Sequence, residues 1–175
     1  MSQASDRVFS IFLVDDDQKH LLLLKEHLIK HLPYNLKIET ILDGDECLRR
    51  LDENPDLIIL DYYFDGISES ASNGVDVLKK IKHKKTNVPV VMMSHQDKLE
   101  VAVTCYDFGV KDYIIKNETG FARAQLIVRN IIHELIKEDI TKEYKQGVRY
   151  ATLIIGAFII ILISVIIYLV AGLGN

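Results

Sequence analysis

Apolar positions along this chain follow two periodicities that take turns. Val8 to Val14 is apolar throughout except at Ser10, the signature of a strand buried on both faces. Asp17 to His31 then repeats at helical spacing, with Leu21, Leu24, Leu28 and Leu32 on one face, until Pro33 stops it. Leu36 to Leu42 reads as a second strand. Asp43-Gly44-Asp45 forms a turn and cap, Glu46 to Glu53 a short helix, and Asn54-Pro55 its break. Asp56 to Leu60 is a third strand, apolar after its first residue. A polar loop from Tyr62 to Ser72 leads to Asn73, which caps a helix carrying Val75, Leu78 and Ile81. Val88 to Met93 is a fourth strand, Asp97 to Phe108 a helix ended by Gly109, and Lys111 to Ile115 a fifth strand. Glu118 opens a long final helix.

Five strands alternating with helices predict an α/β fold with a parallel sheet covered on both faces. Right-handed crossovers leave few topologies. The expected one is doubly wound and flavodoxin-like, with strand order 2-1-3-4-5 and its site at the carboxyl ends of the strands. No internal repeat or low-complexity segment interrupts this alternation.

The charges change the picture of the C-terminus. The chain holds 21 basic and 25 acidic side chains, yet none lies beyond Arg149. Ala151 to Leu173 is a run of Ile, Leu and Val relieved only by small residues, Thr152, Ser164 and a few aromatics. About 20 helical residues cross the roughly 30 Å hydrocarbon layer of a bilayer, so this stretch predicts one transmembrane helix. Lys142, Lys145 and Arg149 precede it and no basic residue follows, which orients the N-terminal part to the cytoplasm. A single span is an anchor rather than a channel. Net charge of −4 gives no basic excess for nucleic acid. Cys47 and Cys105 have neither disulfide-framework nor metal-ligand spacing and read as buried thiols. The N-terminus lacks the charged and extended apolar regions of a secretory signal.

The chemistry gathers where the strands end. Asp15 and Asp16 follow the first strand, Asp61 the third, Ser94 the fourth and Lys116 the fifth. Clustered carboxylates need a cation, and hard oxygen ligands favour Mg2+. A lysine and a hydroxyl converging on one carboxylate suit a phosphoryl group. Asp61 is then the nucleophile that forms an acyl phosphate.

The stretches IFLVDDD, LIILDYY, VPVVMMS and FGVKDYIIK, in this order, resemble the receiver domains of two-component response regulators from about Val8 to Ile132. The resemblance implies that Asp61 is the phosphoacceptor and that Asp16 and Asp61 supply Mg2+ carboxylates. It implies that Asp15 supports the metal through water and that Tyr63 offers its backbone carbonyl. Ser94 and Lys116 would contact the phosphoryl oxygens. Tyr113 sits at the aromatic switch position, where the ring turns inward as Ser94 moves to the phosphate. A sensor histidine kinase or a histidine phosphotransfer protein is the implied partner.

Departures from the family's pattern are local. Phe64-Asp65-Gly66 stands where a proline is usual, and Gly74 lies further from Asp61 than usual, so the intervening loop is longer. Asn117 replaces the proline that usually follows the lysine, and His95 replaces a small residue. The resemblance implies that Tyr63 and Gln96 border the path of water to the phosphorus; a bulky Tyr63 predicts slow hydrolysis of the acyl phosphate, whereas a Gln96 that orients the water predicts fast hydrolysis. His20, His27, His31 and His83 share helix faces with lysines and read as solvated; His133 reads as an ordinary helix residue.

The expectation is therefore a receiver over residues 6–133, a helical juxtamembrane linker over 134–149, interrupted near Gly147, and a transmembrane helix over 150–173. It would work as a membrane-anchored phosphorelay switch, not an enzyme, acting through a downstream docking partner, a change in homodimerisation or onward transfer to a histidine. The competing reading is a membrane-tethered scaffold whose site takes no phosphate. An aspartate-nucleophile phosphatase would carry a general acid two residues after Asp61, where Tyr63 stands.

Overall fold

The computed structural model describes residues 7–63, 73–84, 87–95 and 99–173. Five strands alternate with five helices: β1 (Val8–Val14), α1 (Gln18–His31), β2 (Asn35–Ile41), α2 (Gly44–Arg49), β3 (Leu57–Asp61), α3 (Gly74–Lys84), β4 (Val90–Ser94), α4 (Leu99–Asp107), β5 (Asp112–Ile115) and α5 (Gly120–Leu173). All strand pairs are parallel, in the order β2-β1-β3-β4-β5. This is the doubly wound, flavodoxin-like sheet that the alternation of periods predicts.

Period-2 alternation sorts the sheet residues between two faces. Phe12, Val14, Ile58, Leu60, Val90 and Met92 pack in one core with Leu48 of α2, Val77, Leu78 and Ile81 of α3 and Cys105 of α4. Phe9, Ile11, Leu13, Leu57, Ile59, Val91 and Met93 are equally buried and point the other way. That side is closed by Leu21, Leu24 and Leu28 of α1 and Ala124, Val128, Ile131 and Ile132 of α5, all buried. The central strands therefore lie between two apolar layers, and their polar residues are confined to their ends.

Caps explain where the elements begin. Asp17 accepts hydrogen bonds from the N–H groups of Lys19 and His20, and Asp43 from those of Asp45 and Glu46. The second cap starts α2 at Gly44, earlier than its apolar pattern suggested. The predicted helix through Glu53 tightens after Arg49 into a 3-10 turn, Arg50–Glu53, closed by Asn54 in the left-handed region at φ 53°. The expected strand from Val88 begins instead at Val90, because Pro89 has no N–H to give the ladder. A turn at Asn117, whose carbonyl accepts from the Gly120 N–H at 2.9 Å, delays α5 to Gly120.

Residues up to His133 form one compact unit and those from Glu134 a second. The second unit is helical through Leu173, and Gly147 does not interrupt it. One glycine in a helix costs only about 1 kcal/mol, less than a break would forfeit in backbone hydrogen bonds. The apolar stretch has an 18-residue window of mean hydropathy 2.1, with none of it buried within the molecule. Leu153, Ile154, Phe158 and Ile160 are all exposed there.

Candidate functional site

Parallel pairing brings the carboxyl ends of β1, β3, β4 and β5 to one edge. Asp15 continues β1 by one residue, its N–H donating to the Ile41 carbonyl at 3.1 Å. Asp61 closes β3 opposite Met93, and Ser94 closes β4 opposite Ile115. The Lys116 N–H donates to the Ser94 carbonyl at 2.7 Å, which fixes the root of the lysine side chain beside β4. The predicted residues Asp15, Asp61, Ser94 and Lys116 are thus placed by backbone hydrogen bonds.

Their side chains meet. Lys116 Nζ lies 2.7 Å from Asp15 Oδ2 and 2.8 Å from Asp61 Oδ1, with all three side chains about one-twentieth exposed. Asp16 is exposed beside them, and one oxygen from each of Asp15, Asp16 and Asp61 falls within 4.8 Å of the others. Three hard anionic oxygens at this separation, with one ammonium among them, leave excess negative charge that suits a small divalent cation. The donor set therefore fits Mg2+.

Burial acts differently on the two inner carboxylates. At Asp61 it outweighs the attraction of Lys116 and pushes the carboxyl up to about 6. At Asp15 burial pushes the same way, but hydrogen bonds from His20 and Lys116 more than offset it and hold the carboxyl below its ordinary value. Burial opposes the charge on Lys116 as well. Asp61 and Asp15 overcome it, so the ammonium is held protonated above the ordinary lysine range. Asp61 receives the Tyr62 N–H at 2.8 Å and the Lys116 ammonium, both on Oδ1. Among the described residues no donor reaches its Oδ2.

Ser94 is fully buried, and its hydroxyl shares a hydrogen bond with the Tyr113 phenol. Tyr113 is only 7% exposed, so its ring occupies the inward position. Tyr63 projects outward at 45% exposure, its ring 4.7 Å from that of Tyr62 in an edge contact. Gly74 bears directly on the site: its N–H donates to the Tyr62 carbonyl at 2.7 Å, and a Cβ there would lie 2.1 Å from the Asp61 carbonyl oxygen. Only glycine fits so close to the Asp61 backbone. Gln96 and the loop of residues 64–72 lie outside the described residues. The Lys116–Asn117 peptide is trans.

One neighbour of the site departs from the sequence reading. His20, expected in solvent, places Nδ1 2.8 Å from Asp15 Oδ2 and has a side chain only 18% exposed. It lies in the first turn of α1, directly after the Asp17 cap, and its ring reaches Asp15 just past the end of β1. The Asp-Asp-Asp run followed at once by a helix start contained that signal. His27 also bonds rather than facing water, with Nε2 3.1 Å from Gln125 Oε1, and His133 Nε2 lies 2.7 Å from the Tyr34 hydroxyl.

Comparison with known proteins agrees with this geometry. Residues 11–129 match the model of the response regulator receiver domain. The chain is 32% identical over 137 residues to the transcriptional regulatory protein CpxR of Escherichia coli, covering 78% of this chain and 53% of that protein. It is 29% identical over 105 residues to the alkaline phosphatase synthesis transcriptional regulatory protein PhoP of Bacillus subtilis, covering 59% of this chain and 41% of that one. The chain thus spans about half the length of these curated relatives. Among solved structures, the receiver domain of NtrX from Brucella abortus superposes with a TM-score of 0.61 at 27% identity, covering 70% of this chain and 98% of that one. The Francisella response regulator 1452 receiver domain gives 0.62 at 21% identity, covering 72% and 98%, a likeness of fold. With an acidic triad closed by a lysine at the carboxyl edge of a 2-1-3-4-5 sheet, and a family match over most of that sheet, the chain belongs to the response regulator receiver domains of two-component signalling.

Proposed function

We propose that this chain is a phosphorylation switch that accepts a phosphoryl group on Asp61 while held at the cytoplasmic face of a membrane. The observation that carries the reading is the buried ion pair in which one ammonium, Lys116, spans Asp15 and Asp61 at 2.7 and 2.8 Å. Burial of this kind keeps the acceptor carboxylate poorly solvated, which raises its reactivity toward phosphorus. Because both described donors of Asp61 fall on Oδ1, Oδ2 is the oxygen proposed to attack phosphorus.

Histidine kinases are the partners of receiver domains, and here a kinase or a histidine phosphotransfer protein is the proposed donor. An Asp61 oxygen forms a bond to phosphorus as the bond from phosphorus to the donor's imidazole nitrogen breaks. The donor's imidazole leaves with a proton already on its other ring nitrogen, so the products are an acyl phosphate and a neutral histidine. Asp16, Asp61 and the Tyr63 carbonyl, with Asp15 acting through water, would hold Mg2+, which would supply charge neutralisation for the phosphoryl oxygens. Lys116 offsets further charge, and the Ser94 hydroxyl donates to a phosphoryl oxygen. That donation releases Tyr113 from its present hydrogen bond, which is the proposed output signal.

Membrane attachment rests on the exposed apolar helix and on the basic residues that precede it. The proposed division is a receiver over 6–133, a juxtamembrane helix over 134–149 and a span over 150–173. The proposed output then runs through a docked protein or a second copy of the chain.

The test is intact-mass measurement of the chain after incubation with acetyl phosphate and Mg2+. A single phosphoryl adduct that disappears in Asp61→Asn supports the reading. An unmodified wild-type chain, or an adduct that survives in Asp61→Asn, overturns it and favours a phosphate-independent scaffold.

A further inference from the structure

We infer that His20 is a positioning residue for the acidic site, locking the plane of the Asp15 carboxylate on which Lys116 rests. This rests on the phosphoacceptor reading above.

Asp15 accepts from three donors. The Asp17 N–H reaches Oδ1 at 3.0 Å, while His20 Nδ1 and Lys116 Nζ both reach Oδ2, at 2.8 and 2.7 Å. Two of these donors are fixed. The Asp17 N–H is main chain at the α1 cap. The His20 ring grows from the first turn of α1 and lies 5.3 Å from the Phe121 ring of α5. A fixed donor on each oxygen removes the carboxylate's freedom to rotate about its last bond. The third donor, Lys116, is a flexible four-carbon arm that gains its position from the carboxylate, not the reverse.

The ring is not interchangeable with an apolar one. Its Nδ1 faces a carboxylate oxygen, so that nitrogen carries the proton whatever the state of Nε2. Without it, Asp15 Oδ2 keeps only the mobile lysine, and the carboxylate can turn toward Asp16 or solvent. Lys116 then loses the anchor that holds it against Asp61, and the oxygens offered to a cation lose their arrangement. Partners behind metal-binding carboxylates and imidazoles typically change metal affinity by about 10- to 100-fold when removed.

Asparagine separates the donor from the ring. Its amide nitrogen stands the same number of bonds from Cα as histidine Nδ1, so His20→Asn keeps a donor toward Asp15 without the aromatic contact. His20→Leu keeps apolar bulk against Phe121 without the donor. The experiment is calorimetric titration of Mg2+ alone into the full chain in detergent micelles, for wild type and both variants. Rates of acetyl phosphate labelling and metal-free unfolding midpoints are measured alongside. The expected result is Mg2+ affinity lowered about 10-fold in His20→Leu, with slower labelling, and largely restored in His20→Asn. Packing alone predicts the opposite order, with His20→Asn the worse variant. Wild-type affinity in His20→Leu, or equal losses in both variants, overturns the role of His20 while leaving the acceptor reading intact. Absence of Mg2+ binding and labelling in the wild type itself overturns both.

Discussion

Replacing Asp61 with asparagine should stabilise the metal-free protein at neutral pH, although it removes the reactive group. The substitution is nearly isosteric, and the amide oxygen can still accept from the Tyr62 N–H and Lys116. The folded carboxyl is pushed up to about 6 by burial, against about 3.9 for an aspartate in an unfolded chain. A group raised in this way contributes stability that is complete below about pH 4 and lost as pH rises through about 6. The difference amounts to roughly 3 kcal/mol once Asp61 is fully ionised, a large share of a typical total of about 5–15. Asp15 works on the other side. Its lowered carboxyl contributes stability present above the unfolded value and lost only in stronger acid, so the interval between about pH 4 and 7 belongs to Asp61.

The assay is reversible urea unfolding in mild detergent with a chelator present, followed by near-ultraviolet tyrosine dichroism across that interval. Wild type should lose stability as pH rises, while Asp61→Asn should be flatter and exceed it by up to about 3 kcal/mol at pH 7. Saturating Mg2+ should narrow the gap, because the cation binds the ionised carboxylate and stabilises the folded state by mass action. An asparagine variant less stable than wild type at pH 7 without metal, or a gap that does not change with pH, would falsify the account of a burial-strained nucleophile.

Lys116→Met should cost about 3–5 kcal/mol without metal, since it leaves two buried carboxylates facing each other, and Mg2+ should recover part of the loss. Urea unfolding with and without Mg2+ checks this; an unchanged midpoint would show the ion pair to be energetically idle. Gly74→Ala should abolish acyl phosphate formation, because its Cβ would lie 2.1 Å from the Asp61 carbonyl oxygen; labelling at the wild-type rate would mean the backbone yields there. Tyr63→Ala should shorten the lifetime of the acyl phosphate by opening the path of water, measured as loss of adduct after donor removal; an unchanged or slower decay removes the shielding argument. The full chain should sediment with membranes and resist carbonate extraction, whereas a chain ending at His133 should be soluble; a soluble full chain ends the anchor proposal.

Sheet order was legible from the sequence because each buried strand carries its own apolar run and each is followed by a helical period. The lengths left almost no alternative winding. The acidic cluster was legible for the same reason. In a sheet buried on both faces, polar residues such as Asp15, Asp61, Ser94 and Lys116 can stand only at strand ends, so their mere presence there marks an edge. Element starts were less legible. Asp43 and Pro89 moved α2 and β4 through hydrogen bonds that an apolar pattern does not register. Helical periodicity places His20 in solvent because it measures which face meets the core. It does not measure which residue of the first turn lies above a neighbouring strand end. The inward Tyr113 ring, bonded to Ser94, is likewise a rotamer choice that spacing leaves open.

On the proposed acceptor reading, one lysine serves both states of the site. Before phosphorylation Lys116 neutralises Asp61 directly, and Asp15 shares the ammonium, so neither buried carboxylate stands alone. Once Asp61 is esterified its own charge is gone and the new negative charge lies further out, on the phosphoryl oxygens. Lys116 can follow that charge only if Asp15 stays fixed as its second partner. Asp15 is the better-anchored carboxylate of the two, with donors on both oxygens, while both described donors of Asp61 fall on one. The asymmetry is what a switch requires: a rigid acid that keeps the cation in reach, and a strained one that gives up its charge to the reaction. The Ser94 hydroxyl then has a choice of partner, the Tyr113 phenol or a phosphoryl oxygen. The second is the stronger because the acceptor is charged, so on the proposed reading the phosphoryl group takes the Ser94 hydroxyl from the Tyr113 phenol.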